Sequence, residues 1–169
     1  LEQVSLYSSN SDRPPVATSG DGGLAILSQD TERASFRLSS AMEHYSRDRG
    51  ILTGPTPFSY IAGALPLVDS ENISIHILLG NFGPEVALLT ESADMHSSYT
   101  FAASDSLPAQ AALYASAQEP LIGEELYAVP AYLDAGPLHK SSLHVQDILR
   151  WAVIFTLVAG ALLKLLGVL

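Results

Sequence analysis

The last nineteen residues constrain the fold most, because they form an almost unbroken apolar run. Residues 151–169 read WAVIFTLVAGALLKLLGVL, and Lys164 is the only charged residue among them. A helix of this length spans about 28 Å, close to the thickness of a bilayer hydrocarbon core. The alternative, a buried core helix, is disfavoured because the run is too long and too uniformly apolar for a small domain. The sequence predicts a single-pass transmembrane helix over residues 147–169.

The residues around the span predict its orientation. Trp151 and Arg150 stand at its start and suit a membrane interface, while the long side chain of Lys164 can reach outward from the other end. Lys140 and Arg150 precede the apolar run at 151–169, and the sequence carries no further positive charge after Lys164. Because positive charge favours the cytoplasmic side, the globular part is predicted to be cytoplasmic.

One side of the predicted membrane helix differs from the rest. Small or polar residues recur there at steps of four, where neighbouring helices can approach closely in lipid. Glycine and alanine are common in membrane helices, so chance placement is the alternative. The sequence predicts a helix–helix contact formed by Ala152, Thr156, Gly160 and Lys164 at these steps and by Gly167, which lies close to the same stripe.

Composition indicates that much of the remaining surface is shielded from water. Only 15% of the residues are charged, whereas 47% are hydrophobic, and about a quarter charged is usual for a soluble domain. The bilayer is one expected partner. Other membrane protein subunits, or further copies of this chain, are the second.

The distribution of charge disfavours nucleic acid as a partner for half of the chain. Residues 50–139 contain ten acidic residues and no Lys or Arg, and phosphate contacts need a basic surface. The chain also has no cysteine, which excludes disulfides, thiolate metal sites and cysteine nucleophiles. It begins at Leu1, and we expect processing or an upstream segment.

The pattern of apolar residues predicts a small α/β domain over residues 24–146, after an extended arm or linker at 1–23 rich in Ser, Pro and Gly. A short strand is predicted at 24–27, then a helix capped by Asp30 that ends at Arg49, and a helix from Phe58 to Asp69. Three strand–helix units follow, with strands at 73–79, 97–104 and 120–122. This alternation predicts a small, mostly parallel sheet covered by helices. The apolar strand at 73–79 is predicted to be buried on both faces.

The stretch HILLGNFGPEVALL, residues 76–89, resembles a phosphate-binding loop because glycines separate a strand from a helix. Pro84 suits the first helical position and Glu85 the first turn. A phosphate loop would instead need free amides, usually a basic residue, and no competing carboxylate. The stretch is therefore interpreted as a strand-to-helix turn.

The carboxyl ends of the predicted strands carry the only candidate ligand site. Loops at this edge of a parallel sheet often converge on a ligand, and oxygen ligands suit Mg²⁺ or Ca²⁺. Helix capping is the competing interpretation. The candidate metal ligands are Asp105, Glu124 and Glu125.

Catalytic patterns are missing from the sequence. No GxSxG, HExxH or CxxC motif occurs, and the five histidines are not paired at ligand spacing. His76 lies in an apolar strand and is predicted to be a hydrogen-bonded core histidine. An enzyme is therefore less expected than a binding protein, and no other cofactor is predicted.

Two stretches, AGALPLVDSENISIHILLGNFGPEVALLTE and PLIGEELYAVPAYL, precede the membrane helix. Together with that helix they resemble an uncharacterised family of bacterial membrane-anchored α/β domains, over residues 58–169. The resemblance implies the fold and the topology, and no catalytic residues. Family members are longer at the amino terminus, which implies a segment upstream of Leu1.

Three functions are compatible with these features. A non-catalytic accessory or scaffold subunit of a membrane protein complex fits the low charge, the helix stripe and the missing catalytic set. A sensory module that binds a ligand or divalent cation at the strand ends is the alternative. A membrane-tethered hydrolase ranks last, because no nucleophile–base pair is visible.

Overall fold

The computed structural model describes residues 1–11, 13–70, 73–132 and 137–165. For residues 130–132 and 137–140 the description covers the backbone alone. The chain divides into two compact units, Leu1–Ile122 and Gly123–Leu169. Helices alternate with short parallel strands in the first unit, and the second contains a long apolar helix. The predicted fold class, a small parallel α/β arrangement covered by helices and followed by a candidate membrane span, is therefore confirmed.

The described residues of the first unit form five α-helices and five strands. They are α1 (Glu2–Ser8), β1 (Ala17–Ser19), α2 (Gly22–Leu38), β2 (Gly50–Leu52), α3 (Pro57–Ser70), β3 (Ile75–Gly80), α4 (Ala87–Met95), β4 (Tyr99–Ser104), α5 (Leu107–Ser116) and β5 (Glu119–Leu121). Short 3-10 turns occupy Met42–His44, Arg47–Arg49 and Pro84–Val86. The three predicted strand–helix units and the helix after residue 57 are confirmed to within a few residues.

The strands form two parallel sheets. β1 pairs with β2, so that Ala17 lies opposite Gly50. The other sheet has the order β3-β4-β5, with Ile77 opposite Phe101 and Phe101 opposite Glu119. Consecutive parallel strands in this order need a crossover helix between them, and these crossovers are α4 and α5.

One core joins the three-stranded sheet to its helices. It contains Leu78 of β3 and Ala102 of β4, together with buried residues from three helices: Ile61, Ala64, Val68, Leu89, Ala93, Ala109 and Leu113. α3, α4 and α5 therefore share one face of the sheet. Right-handed crossovers that advance in one direction across a sheet place their helices on the same side, which accounts for this arrangement.

The amino-terminal region differs from the sequence-based expectation. Within the predicted arm at 1–23, Glu2–Ser8 is helical and Ala17–Ser19 pairs as a strand. The prediction of a strand at 24–27 is wrong, because these residues lie in α2. The helix does not begin at Asp30 or reach Arg49; Asp21 caps it by accepting hydrogen bonds from the amides of Gly23 and Leu24, at 2.8 and 3.0 Å.

Close packing explains why a glycine stands in the middle of α3. A Cβ added at Gly63 would lie 2.4 Å from the carbonyl oxygen of Thr53. The helix therefore packs directly against the backbone that follows β2. Thr18 and Tyr60 reinforce the contact, since their hydroxyls lie 3.0 Å apart.

The second unit contains α6 (Glu125–Tyr132) and α7 (Pro137–Leu165). Residues Ser141–Leu165 of α7 are long and apolar enough to cross a membrane. Helix α7 thus begins ahead of the predicted span and runs into it without a break. The predicted domain boundaries at residues 24 and 147 remain predictions.

Candidate functional site

The sheet face opposite the core carries a group of exposed apolar side chains, and we call it the open sheet face. Its members are Ile75, Ile77, Leu79, Tyr99 and Phe101, each at least 41% exposed. By contrast, Leu78 on the core face is 2% exposed. The prediction that residues 73–79 are buried on both faces is therefore wrong. A continuous apolar run does not reveal whether both faces of a strand are covered.

Strand register places these side chains next to one another. Ile75 lies opposite Tyr99, and Ile77 lies opposite Phe101. The Tyr99 and Phe101 rings pack edge to face with centroids 5.2 Å apart. The face is not open throughout, because Ala103, opposite Leu79, is fully buried.

The rim of the open sheet face carries a carboxylate, that of Glu119. Tyr99 donates a hydrogen bond of 2.9 Å from its hydroxyl to a carboxylate oxygen of Glu119 on β5. This hydrogen bond raises the pKa of Tyr99 above its usual value. The surrounding stretch of sequence, residues 50–139, offers no Lys or Arg to balance the carboxylates.

The turn after β3 is built as a helix start. The amide of Gly83 donates a 2.8 Å hydrogen bond to the Glu85 carboxylate, and Pro84 begins the 3-10 turn that leads into α4. The amide of Phe82 donates to the hydroxyl of Ser104 at 3.2 Å. Amides that a phosphate would need are thus already engaged, and the interpretation of this stretch as a structural turn is confirmed.

The predicted metal ligands divide between the two units. Asp105 is exposed and follows β4, whereas Glu124 and Glu125 belong to the second unit. Glu124 is ion-paired with Arg150. Among the residues that the structure describes, no group of three His, Asp or Glu side chains is arranged to hold a metal ion. The site at Asp105, Glu124 and Glu125 stays a prediction from sequence.

A Ser–His–Asp group that the sequence analysis missed lies at the ends of α3 and α4. The Ser92 hydroxyl donates to Asp69 at 3.1 Å, and His96 Nδ1 lies 3.6 Å from the same carboxylate. His96 Nδ1 also lies 2.8 Å from the carbonyl oxygen of Ser92. Catalysis needs histidine between serine and aspartate, but here the carboxylate stands between them. The group therefore stabilises the end of α4 rather than forming a nucleophile.

His76 differs from the hydrogen-bonded core histidine predicted from sequence. Its Nδ1 and the hydroxyl of Thr100, the residue opposite it in β4, are buried without a hydrogen-bond partner among the described residues. Burial lowers the pKa of His76, so its neutral form is favoured. No described residue gives the His76 ring a hydrogen-bond partner at its buried Nδ1.

The predicted helix contact lies on an exposed part of α7. Ala152, Thr156, Gly160 and Lys164 are all exposed, and a Cβ added at Gly160 would meet nothing within 4 Å. The Thr156 hydroxyl donates to the carbonyl of Ala152 at 2.8 Å, within the helix. Gly167 lies outside the described residues. The contact with another helix stays a prediction.

These features define a class: an α/β domain with one open apolar sheet face, joined to a helix that could cross a membrane. The chain belongs to the family described as "Domain of unknown function (DUF6754)", whose model matches residues 16–169. The match agrees with the expectation that residues 58–169 belong to an uncharacterised family, and it reaches further toward the amino terminus. Neither the curated proteins nor the solved structures include a match to this chain.

Proposed function

We propose that the chain is a non-catalytic, membrane-anchored accessory or scaffold subunit of a larger membrane protein complex. The open sheet face, with Ile77 and Phe101 near its middle, carries this proposal. Parallel sheets are usually covered on both faces, and contiguous exposed apolar patches mark interaction sites. A helix or sheet layer from another subunit would supply the cover that α3, α4 and α5 give to the core face.

The rim of the face indicates what this partner offers. Glu119 lies on β5 beside the aromatic pair, and residues 50–139 carry ten acids without a basic residue. A partner with an apolar centre and basic residues at its edge would match this surface. Such complementarity favours the correct partner and orientation more than it adds affinity.

The anchor in this proposal is the apolar part of α7. Its exposed apolar surface from Trp151 to Leu165 would be covered by lipid, and the Ala152–Thr156–Gly160 stripe by another membrane helix. The positive-inside tendency of Lys140 and Arg150 supports a cytoplasmic position for residues 1–122. The absence of native cysteine permits a direct test. A cysteine at Ser142 should react with an impermeant maleimide only after intact cells are opened.

Photo-cross-linking tests the proposed use of the open sheet face. A benzophenone amino acid replaces Phe101 in cells that make the full chain. Phe58 is the matched control, because it is also an exposed phenylalanine, 70% exposed, and lies on α3 on the core side of the sheet. Position 101 should give an adduct of one defined additional mass, and position 58 should not.

Native mass spectrometry of the gently extracted chain completes the test. We expect a second subunit at a fixed ratio, and the same subunit in the adduct from position 101. Doubling of the chain mass would identify another copy as the partner. A lone chain without an intermolecular adduct contradicts the proposal. An adduct confined to residues 123–165 also contradicts it, because the chain would then cover its own sheet.

A further inference from the structure

An ion pair ties the beginning of α6 to the middle of α7. The guanidinium of Arg150 donates to the carboxylate of Glu124, which immediately precedes α6. At the other end of α6, only residues 133–136 separate it from α7. Helix α6 therefore runs back along the first turns of α7, and the two form a hairpin whose open end is the Glu124–Arg150 pair.

Arg150 also marks where the apolar part of α7 begins. The next residue, Trp151, is 71% exposed, and Lys164 is the only charge between it and the end of the described helix. Tryptophan and arginine at the start of an apolar span are typical of the membrane interface. Given the membrane anchoring proposed above, on which this step rests, Arg150 lies at the bilayer surface.

We infer that the open end of this hairpin, residues 123–125 together with Arg150 and Trp151, lies in the headgroup layer of the bilayer. A lone carboxylate at this depth would be costly, and its ion pair with Arg150 lowers that cost. Tyr127, one turn into α6, is exposed and offers a second amphipathic ring near the interface. The partner that this surface fits is the phosphate and glycerol region of a phospholipid bilayer.

The hairpin changes where the chain meets the membrane. From Pro137 to Arg150, α7 extends about 20 Å, and a hairpin returns the chain over much of that distance. The beginning of α6 is thereby placed at the level of Arg150 rather than at the level of Pro137. Gly123, at the open end, has a φ of +62°, which is strained for residues with a Cβ.

Spin-label depth measurements test this placement in the full chain, reconstituted in phosphatidylcholine vesicles. The chain has no native cysteine, so single cysteines can replace Glu125 at the open end and Ser142 toward the closed end. Phe155 provides a membrane reference, and Tyr114, exposed on α5, provides an aqueous one. The spin label collides more often with oxygen inside the bilayer and more often with a nickel chelate in water. The ratio of these two collision rates for a label at 125 should lie between the ratios at 155 and 142. A value at 125 equal to that at 114 would overturn the inference.

Removing the charge of Glu124, and with it the ion pair, gives a second, matched test. With the label at Tyr127, Glu124→Gln removes the attraction that holds the beginning of α6 beside Arg150, so it should shift the collision ratio toward the aqueous value. Glu125→Gln removes the same charge one residue away, without breaking the pair, and should leave the ratio unchanged. No shift in Glu124→Gln, or equal shifts in both variants, would contradict the role of the pair in holding the hairpin at the surface.

The single tryptophan separates this inference from the proposed anchoring. Trp151 fluorescence should be quenched by lipids brominated near the glycerol end of their acyl chains. If it is not quenched, both the anchoring and the hairpin placement fail. If it is quenched while position 125 is fully aqueous, anchoring stands and the inference about the hairpin is wrong.

Discussion

Ile77 and Leu78 are neighbours in β3 but lie on opposite faces of the sheet, with 43% and 2% of their surfaces exposed. The difference follows from topology, because α4 and α5 both cross on the side of Leu78. Crossover helices of this chain would cover the side of Ile77 only if the strand order reversed direction. Such a reversal puts helices on both faces of doubly wound sheets. Leu78 thus belongs to the core that stabilises the domain, whereas Ile77 belongs to the open sheet face that remains for a partner.

Substitution of these two neighbours should have different effects on stability. Leu78→Ala leaves a cavity in the core and should lower the free energy of unfolding by about 2–5 kcal/mol. Ile77→Ala should cost less than about 1 kcal/mol, because its side chain is already half exposed. Both values are measured by urea unfolding of the full chain in detergent. Circular dichroism monitors the unfolding of residues 1–122. Equal losses would mean that the sheet is covered on both sides in solution.

The same pair distinguishes folding from association. Ile77→Glu should abolish the retention of a partner subunit during gentle extraction, because it places a charge in an apolar interface. Its urea midpoint should stay close to that of the unmodified chain. Native mass spectrometry gives the subunit ratio, and retention of the partner by Ile77→Glu would exclude this face as the contact.

The start of α2 provides a test at the other end of the domain. The Asp21 carboxylate accepts two amide hydrogen bonds, so Asp21→Ala should destabilise the chain by about 1 kcal/mol. Asp30 is the matched control, since it is exposed in the middle of the same helix and has no capping role. Asp30→Ala should change stability by less than about 0.5 kcal/mol. Thermal unfolding of the two variants compares them directly, and a larger loss for Asp30→Ala would contradict the assigned helix start.

The region after residue 57 could be predicted because its local signals agree with the fold. Apolar strands alternate there with helices, and Gly83 and Pro84 mark a boundary between them. The beginning of α2 was missed for a local reason as well. Gly22 and Gly23 occupy its first turn, where glycine is a poor helix former, and the apolar run at 24–27 then resembles a strand.

Other features depend on tertiary contacts that periodicity does not report. Glu32 is only 1% exposed although it is charged by type, and Ser35 is fully buried, with its hydroxyl donating to the carbonyl oxygen of Glu2 in α1 at 3.3 Å. Such residues interrupt the apolar pattern of a helix, so the packing of α1 on α2 could not be derived from it. The open sheet face was missed because the apolar side chains of β3 would look the same whether a helix of this chain or a partner covered them.

Buried Glu32 should make stability depend on pH. Burial raises the pKa of its carboxyl from 4.5 to about 7 in the folded chain, although the charge of Arg49 opposes the shift. Between these values the folded state holds a proton that the unfolded state has lost, so stability should fall as pH rises from about 4.5 to about 7. Glu32→Gln should remove this fall and raise stability at pH 8 by roughly 1–3 kcal/mol, measured by urea unfolding at pH 4.5 and pH 8.

An exposed glutamate serves as the control for this pH dependence. Glu91 lies exposed on α4, and Glu91→Gln should leave the difference in stability between pH 4.5 and pH 8 unchanged. If Glu32→Gln retained the full decline, the pH dependence would have to arise from other groups.

Gly160 in α7 provides the sharpest test of the predicted helix contact. A Cβ added at this position would meet nothing within 4 Å beyond its own stretch of helix, so Gly160→Leu should not disturb the fold of the subunit. It should weaken association with a neighbouring membrane helix, because small residues allow backbones to approach closely in lipid. Energy transfer between labelled chains in vesicles measures self-association, and co-extraction measures a different partner.

Ala161→Leu is the matched control for this helix contact. Ala161 is the next residue, is also small and exposed, and lies about 100° around the helix from Gly160. A leucine at 161 should therefore leave association intact. If Gly160→Leu and Ala161→Leu reduce association equally, the effect follows from added bulk anywhere on α7. If neither reduces it, the stripe from Ala152 to Gly160 faces lipid, and the open sheet face alone must hold the partner.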